Sequence, residues 1–197
     1  MNIEIRKLVP ELAEDYASFF DETPHNDEFK HKCYCVSWCT DDAEGESWPV
    51  DTAERRATAI ERVKKRQIQG YLAYDNDKII GWCNANTKSD CQKVINDVLV
   101  KYMRAPVSDF RSDEKIKFIF CFTIAPEYRR KGVASALIEY ICNDAKSEGF
   151  RFIEVSTKKE FSNDGFRGVF EMYRKCGFYT YAEQDGNVVM RRDLTDK

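Results

Sequence analysis

Apolar residues change from strand-like to helix-like spacing between positions 116 and 148. Residues Ile116 to Ile124 are rich in β-branched and aromatic types, which predicts a buried strand. Apolar residues then recur at helical intervals from Val133 to Glu148, and polar residues occupy the opposite side. The apolar positions of this helix are Ala134, Leu137, Ile138, Ile141, Cys142 and Ala145. Gly149 is expected to end the helix, so the segment predicts a strand, a turn and a helix.

A strand and two helices are predicted before this central unit. Ile3 to Arg6 has the pattern of a short strand, and a helix with one apolar stripe runs from about Pro10 to Phe20. Asp51 and Glu54 have the spacing of a capping pair, which opens a second helix that runs to about Arg66. Two hairpins complete the pattern: residues 71–74 with 78–83, and residues 178–182 with 188–192 across Asp185-Gly186.

Composition favours one soluble domain. The chain has 197 residues, of which 43% are hydrophobic and 33% charged, and this is enough to bury a sizeable core. It contains no Pro/Gly/Ser-rich linker, low-complexity segment or internal repeat, so we expect a single domain over residues 1–197. With 31 basic and 34 acidic residues, the net charge of -3 gives no general attraction to nucleic acid or to an anionic membrane. We therefore expect neither as a partner.

The N-terminal segment and the cysteines favour a cytoplasmic location. Met1 to Lys7 carries charges where a signal peptide would need an apolar run. No stretch approaches the ~18 consecutive apolar residues of a membrane span. The eight cysteines are then expected to be reduced thiols rather than a disulfide framework.

The densest cysteine group does not predict a metal site. It consists of His31, Cys33, Cys35 and Cys39. Its spacing differs from the common Cys-x-x-Cys knuckle, and no second ligand pair follows. Alternation of Tyr34, Val36 and Trp38 favours a strand-like segment with its cysteines on one side, so no metal is expected.

The turn between the central strand and helix has the chemistry of a phosphate-binding site. The first N–H groups of a helix lack intrahelical partners and carry the positive end of its dipole, so phosphate oxygens fit there. Gly132 lets a ligand approach the backbone, and small Ala134 keeps the next turn open. Arg129, Arg130 and Lys131 add positive charge. The turn is therefore predicted to bind a pyrophosphate group.

Two motifs give the chain a resemblance to a known family. Residues Arg129 to Ala134 resemble the Arg-x-x-Gly-x-Ala coenzyme A motif of the GNAT family of N-acetyltransferases, in the strand–turn–helix context that the motif requires. Tyr173 to Phe178 is similar to the family's Tyr-x-x-x-Gly-Phe signature. The resemblance follows the whole chain in order and is strongest over residues 116–178.

The resemblance implies an α+β fold of the α/β/α sandwich type. A mixed, mostly antiparallel central sheet would carry helices on both faces. Its fourth and fifth strands, here Ile116 to Ile124 and Arg151 to Ser156, would run parallel and splay apart to leave a cleft. The last hairpin would close the sheet, and its edge could pair with a second subunit to form a homodimer.

The function implied by the resemblance is that of an acyltransferase. It would be an acetyl-CoA-dependent N-acetyltransferase that moves the acetyl group directly from acetyl-CoA, its cosubstrate, to a primary amine of a small molecule or peptide. Tyr173 would be the catalytic residue, because its neutral phenol can protonate the departing thiolate near pH 7. A core tyrosine whose hydroxyl reaches water is the other interpretation of Tyr173.

The coenzyme contacts of the family fall on two segments of this chain. The first segment, at the end of the fourth strand, would pair with the pantetheine arm through its backbone, as an added strand does. The family's strand is bulged there, and backbone N–H groups near Ile124 would polarise the acetyl carbonyl. The second would hold the pyrophosphate through its amides. The predicted cofactor-binding residues are Phe122, Thr123 and Ile124 in the first segment and Arg129, Arg130, Lys131, Gly132, Val133, Ala134 and Ser135 in the second.

Three features depart from the family pattern. The fourth strand has no acid, whereas many relatives carry a glutamate there as general base. Glu154 and Glu171 are candidates for the general base only because they lie nearby, and both could be structural charges. Phe166 stands where relatives often have an asparagine that contacts the coenzyme, and Asn163 could replace it. The connection over residues 84–115 is long and is either a packing insertion or a wall of the acceptor pocket. Its predicted helix has apolar positions at Cys91, Val94, Ile95, Val98, Leu99 and Tyr102.

Two other functions stay open. The first is a catalytically inactive coenzyme A-binding or sensing domain, which the missing strand acid would permit. The second is an interaction module that uses the aromatic region from Cys33 to Trp48. A set of aromatic residues could line an acceptor entrance or could belong to the core: Tyr34, Trp38, Trp48 and Trp82.

Overall fold

A seven-stranded sheet organises the molecule. The structure, a computed structural model, describes residues 1–23, 32–46, 48–106, 115–160 and 167–195. The strands are β1 (Ile3–Lys7), β2 (Gly70–Asp75), β3 (Lys78–Thr87), β4 (Ile116–Ile124), β5 (Phe152–Lys158), β6 (Tyr179–Gln184) and β7 (Asn187–Asp193). They lie in the order β1-β2-β3-β4-β5-β7-β6. All neighbours are antiparallel except β4 and β5, which are parallel, so the predicted mixed sheet is confirmed.

Helices cover both faces of the sheet. The α-helices are α1 (Ala13–Glu22), α2 (Thr52–Lys64), α3 (Gln92–Val94), α4 (Val133–Ser147) and α5 (Phe170–Lys175). Short 3-10 helices span Pro10–Leu12, Lys88–Cys91 and Pro126–Tyr128, and a π-helix spans Ile95–Tyr102. The predicted cap of α2 is confirmed, because the Glu54 N–H donates to the Asp51 carboxylate at 2.9 Å. None of the helices in the described ranges is long and apolar enough to cross a membrane.

The sheet separates two apolar clusters. One cluster packs α1, α2 and the π-helix against the face that carries Trp82, Phe118 and Phe120. The other packs α4 and α5 against the face that carries Ile119 and Phe122. We call these the α1 face and the α4 face. Together they form the α/β/α sandwich that the family resemblance implies.

A β-bulge in β4 exchanges the two faces along that strand. Ile119 is the register partner of Ala85 and Cys121 that of Asn84, so Phe120 is an extra residue on β4. Phe120 and Cys121 consequently both belong to the α1 face, and from Phe122 onward the alternation is reversed. The bulge lies four residues before Ile124, where it was predicted. It is therefore closer to the part of β4 that pairs with β5.

The β4 and β5 strands separate after four register pairs. Their pairing runs from Ile116 with Phe152 to Ile119 with Val155. Beyond it, β4 stays paired with β3 as far as Ile124, and β5 stays paired with β7 as far as Lys158. The predicted splay is therefore present, and the residues of β4 after Phe120 have one edge without a strand neighbour in the described part of the chain.

Two local predictions were wrong. The connection after β3 forms a 3-10 helix, α3 and a π-helix rather than one amphipathic α-helix. The wider turn of a π-helix buries Ile95 and Leu99, four residues apart, but leaves Tyr102 82% exposed. The predicted strand-like cysteine segment is a turn, because Tyr34 and Cys35 have left-handed φ values of 45° and 53°, which a strand excludes.

Tertiary hydrogen bonds hold this turn. The Tyr16 hydroxyl donates to the Tyr34 carbonyl at 2.6 Å, and the Tyr34 hydroxyl donates to Asp21 at 2.8 Å. Cys33 and Cys35, which belong to this turn, are both buried. No group of metal ligands occurs among the residues that the structure describes. His31, the remaining member of the predicted group, lies outside the described residues.

A buried ion triad spans three elements on the α1 face, at the level where β4 and β5 are still paired. Glu154 of β5 is fully buried and accepts from the Lys88 ammonium at 2.8 Å and from Arg191 Nε of β7 at 2.8 Å. Lys88 and Arg191 are themselves buried. The triad therefore links the end of β3 to β5 and β7, beside the point where the strands separate.

Removing the charge of Glu154 should destabilise the fold strongly. Glu154→Gln leaves Lys88 and Arg191 buried without their shared carboxylate, and we expect a loss of about 3 kcal/mol in the free energy of unfolding. Glu171→Gln is the matched control, because Glu171 is a solvent-exposed residue whose one ion pair among the described residues is with Arg174 on its own helix. Urea unfolding measures both, and equal midpoints for the two variants would contradict the structural role of the triad.

Candidate active site

The predicted phosphate turn has the backbone geometry of an anion site. Gly132 caps α4 with a left-handed φ of 87°, and no side chain caps the helix. The first bond of the helix joins the Ala136 N–H to the Gly132 carbonyl at 2.9 Å, so the amides of Val133, Ala134 and Ser135 have no intrahelical acceptor. A side chain added at Gly132 would meet no atom of the described chain within 4 Å. The start of α4 therefore has both free amide donors and room for a bound anion.

The charged residues of the turn are arranged around this end of the helix. Arg129, Arg130 and Lys131 are exposed. The Arg129 guanidinium folds back and donates to the Ile124 carbonyl at 3.1 Å, which ties the turn to the end of β4. The Lys131 ammonium lies 5.6 Å from the ring centre of Tyr128. Three cationic side chains therefore directly precede amide N–H donors that have no acceptor within the helix.

The second predicted segment forms one side of the opening between β4 and β5. Phe122, Thr123 and Ile124 pair with Cys83, Trp82 and Gly81 of β3 along one edge. Their other edge is not paired with a strand among the described residues. An extended chain could therefore add to β4 here, in the manner expected of a pantetheine arm.

Tyr173 is held by the way α5 ends. Gly177 follows the helix with a φ of 80°, its N–H bonds to the Arg174 carbonyl, and the N–H of Phe178 bonds to the Tyr173 carbonyl at 3.0 Å. This is a Schellman ending, in which the residue after the glycine packs back on the helix. The Phe178 ring is indeed 5.4 Å from the Tyr173 ring. The spacing Tyr-x-x-x-Gly-Phe is therefore explained by the helix ending that fixes Tyr173.

The side chain of Tyr173 lies on the α4 face, next to β4. Its ring centre is 6.3 Å from that of Phe122, the first residue of the predicted pantetheine segment. The residue is fully buried, and its hydroxyl donates to the Arg167 carbonyl at 2.7 Å. Burial raises the pKa of the phenol well above its usual value, so Tyr173 carries its proton at neutral pH. It can donate that proton to a base formed beside it.

Gly168 shapes the space above Tyr173, a role that sequence reasoning missed. Gly168 has a φ of 74°, and a Cβ added there would lie 2.8 Å from the Tyr173 hydroxyl and 2.8 Å from the Met172 methyl. The Gly168 carbonyl also accepts from the Thr157 hydroxyl of β5 at 2.9 Å. Gly168 therefore joins β5 to Tyr173. The glycine residue is the one feature of the sequence that could have indicated this role.

The remaining candidates have structural surroundings. Glu154 is held by two cations in the triad, and Glu171 is an exposed partner of Arg174. Ser135 is half-buried and hydrogen-bonds to the Cys176 thiol. Burial raises the pKa of that thiol, and the hydrogen bond from Ser135 offsets only part of the increase. Asn163 and Phe166 lie outside the described residues.

The aromatic residues considered for an acceptor entrance belong to the core. Tyr34, Trp38 and Trp82 are buried in the cluster on the α1 face. Trp48 is half-buried and packs under the Arg55 guanidinium, 5.1 Å from its ring centre. The core interpretation of this set is therefore the correct one.

Many solved structures share this fold. The PaiA N-acetyltransferase from Thermoplasma acidophilum, solved with coenzyme A, is 15% identical over 98% of this chain and 99% of its own, with a TM-score of 0.56. YncA from Salmonella typhimurium, a putative acetyltransferase solved with acetyl-CoA, is 14% identical over 99% of this chain and 95% of its own, with a TM-score of 0.54. A chain of the NatC complex bound to Gag peptide and coenzyme A is 17% identical over 99% and 100%, with a TM-score of 0.53. No curated protein sequence matches the chain significantly.

The chain therefore shares the fold of these acetyltransferase structures. The family model described as "Acetyltransferase (GNAT) family" matches residues 34–178. The chain belongs to this family of acyltransferases of the N-acetyltransferase type, as its two motifs predicted.

Adding a methyl group at Gly168 should disturb Tyr173. Gly168→Ala puts a carbon within 2.8 Å of the Tyr173 hydroxyl, and we expect a loss of about 2–3 kcal/mol, of which ~1 kcal/mol comes from the left-handed φ. Gly45→Ala is the control, because Gly45 has a similar φ of 83° but no atom within 4 Å. Thermal unfolding and the near-ultraviolet tyrosine signal report the difference, and identical losses in both variants would rule out the contact.

Proposed function

We propose that the protein transfers the acetyl group of acetyl-CoA directly to a primary amine of a small molecule or peptide. The observation that carries this proposal is that three features adjoin the last residues of β4. These are the free edge after the bulge, the uncapped end of α4 and the Tyr173 side chain beside Phe122. The similar structures with bound coenzyme A or acetyl-CoA support acetyl-CoA as the cosubstrate.

The residues of the turn fit a coenzyme A molecule. The amides of Gly132 to Ser135 would bind the pyrophosphate, and Arg129 to Lys131 would neutralise its charge. Phe122 to Ile124 would pair with the pantetheine arm and direct its sulfur toward Tyr173. The bound molecule supplies an activated acetyl thioester, while the chain supplies position and protons.

Tyr173 would act as the general acid. When the amine nitrogen bonds to the acetyl carbon and the carbon–sulfur bond breaks, the thiolate needs a proton. The Tyr173 hydroxyl would turn from the Arg167 carbonyl and donate its proton to that sulfur. Its raised pKa keeps the phenol protonated until then, and the phenolate regains a proton from the positively charged amide nitrogen through water or solvent.

The absence of an acid on β4 restricts the acceptor. From Phe118 to Phe122 the strand offers no carboxylate, and the nearby Glu154 is committed to two cations. Where no other group accepts it, the first proton of an acceptor amine must pass to water. An α-amino group, with a pKa of about 7.7–8.0, loses it far more readily than a lysine-type amine with a pKa of about 10.4. A peptide α-amine therefore suits this site better, and the NatC chain, solved with a peptide, is a similar fold.

A coenzyme A-binding or sensing domain without catalysis is the second candidate. It is favoured by the Tyr173 hydroxyl, which is buried and already donates to a backbone carbonyl. This candidate shares the coenzyme contacts of the first and differs only in the absence of acetyl transfer.

Binding of acetyl-CoA should depend on the open space at Gly132. Calorimetric titration should show tight binding of acetyl-CoA and weak binding of pantetheine, which lacks the pyrophosphate. Gly132→Ala should weaken acetyl-CoA binding about tenfold or more, because the added methyl would contact the pyrophosphate. Gly186→Ala is the control, with a φ of 75° and similarly open surroundings in the β6–β7 turn. No heat from acetyl-CoA would overturn both candidates.

Removal of the Tyr173 hydroxyl should separate the two candidates. For an enzyme, Tyr173→Phe should lower kcat about 10²-fold or more with acetyl-CoA affinity unchanged within about threefold. Tyr71→Phe removes a similarly buried hydroxyl that donates to Asp144 at 2.6 Å, away from the opening, and should leave kcat unchanged. Full activity in Tyr173→Phe would disprove the acid role, and a wild-type protein that binds acetyl-CoA but acetylates no peptide or small amine would favour the sensor.

A further inference from the structure

Two consecutive backbone carbonyl groups connect β5 to the Tyr173 hydroxyl. The Arg167 carbonyl accepts a hydrogen bond from this hydroxyl at 2.7 Å. The next carbonyl along the chain, that of Gly168, accepts from the Thr157 hydroxyl at 2.9 Å. Both donor side chains are buried, which strengthens each bond. Thr157 of β5 and Tyr173 of α5 therefore bind to neighbouring peptide groups.

Arg167 and Gly168 lie across the free edge of β5. Val155 belongs to the cluster on the α4 face, so Thr157 points to that face and Ser156, between them, to the α1 face. The Arg167 side chain reaches the second of these faces, because its Nη1 donates to the Ser156 hydroxyl at 3.5 Å. Contact with both faces requires passage around one edge of β5, and β7 covers the other edge. The two residues therefore lie on the β5 side of the opening.

Gly168 gives this connection little stiffness of its own. It has a left-handed φ of 74° and no Cβ, so its backbone torsions are less restricted than those of other residues. Thr157 is β-branched and lies in a strand, so its hydroxyl has a restricted direction. The Tyr173 hydroxyl packs directly beside Gly168, where an added Cβ would lie 2.8 Å from it. A shift of Gly168 would consequently displace the hydroxyl.

We propose that Thr157 is a positioning residue, which fixes the direction of the Tyr173 hydroxyl through the carbonyls of Arg167 and Gly168. Its catalytic consequence rests on the proposed function, in which Tyr173 donates a proton to the coenzyme sulfur. A donor must point at its acceptor, because a hydrogen bond weakens steeply at angles below about 120°. Thr157 lies two residues beyond Val155, the last residue of β5 that pairs with β4, so the divergence of the strands also positions the proton donor.

Loss of the Thr157 hydroxyl should slow acetyl transfer without weakening coenzyme binding. Thr157→Val replaces the hydroxyl by a methyl group and keeps the preference for a strand. We expect kcat to fall about tenfold with KM for acetyl-CoA unchanged within about twofold, because a misdirected proton donor affects the chemical step. Thr157→Ser keeps the hydroxyl and should restore most of the rate.

A double variant separates positioning from a general loss of structure. Without the phenol hydroxyl there is nothing for Thr157 to direct, so Thr157→Val/Tyr173→Phe should have the same kcat as Tyr173→Phe alone. Thr87→Val is the control, because Thr87 pairs with Lys117 near the start of β4 and its side chain caps no helix. It should retain the wild-type rate. A wild-type rate in Thr157→Val, or a further tenfold loss in the double variant, would overturn the proposal.

Nuclear magnetic resonance of the protein without acetyl-CoA tests the same contact independently of acetyl transfer. With ¹³C at the Cζ of its tyrosines, the Tyr173 resonance is the one that Tyr173→Phe removes. It should shift in Thr157→Val and stay in place in Thr87→Val. A wild-type protein that transfers no acetyl group would overturn the proposed function, and this resonance would then decide alone whether Thr157 directs Tyr173. An unchanged resonance in Thr157→Val would overturn the proposal.

Discussion

The parallel contact between β4 and β5 is only four register pairs long, and the candidate site exists because it ends there. Each strand continues beside its outer antiparallel neighbour, β4 with β3 and β5 with β7. The bulge at Phe120 lies at the same level and exchanges the α1-face and α4-face positions along β4. The free edge of β4, the face that Phe122 presents and the direction in which the chain enters α4 all follow from this divergence.

Two helix ends complete the site, and both depend on glycine in the left-handed region. Gly132 begins α4, whose first amides have no acceptor within the helix, and Gly177 ends α5 so that Phe178 packs on Tyr173. Gly168 adds a third constraint, because it leaves room for the Tyr173 hydroxyl. These positions show how short sequence signatures specify the placement of a side chain by fixing the ends of helices.

Local patterns predicted much of the fold. The bounds of β4 and the start of α4 were correct, and Gly149 ends α4 as expected, because strand composition, helical spacing and a terminal glycine are all visible in neighbouring residues. The turn of the last hairpin was also predicted from Asp185-Gly186, whose φ values are both positive.

The wrong or missing predictions involve contacts between distant segments. The turn at Tyr34 and Cys35 is held by Tyr16 and Asp21, and the triad of Lys88, Glu154 and Arg191 joins residues up to about a hundred positions apart. Periodicity carries no information on such pairs. The family motifs located the turn and Tyr173, but the partner of the Tyr173 hydroxyl and the role of Gly168 required the structure.

Amide hydrogen exchange with and without coenzyme A tests most directly the central claim that the divergence of β4 from β5 creates the coenzyme site. Bound coenzyme A should slow exchange at two places, the β4 segment Cys121 to Ile124 and the start of α4 from Gly132 to Ser135, with peptides from β1 and β6 unchanged. Coenzyme A that binds while both segments exchange at their original rates would contradict this origin of the site.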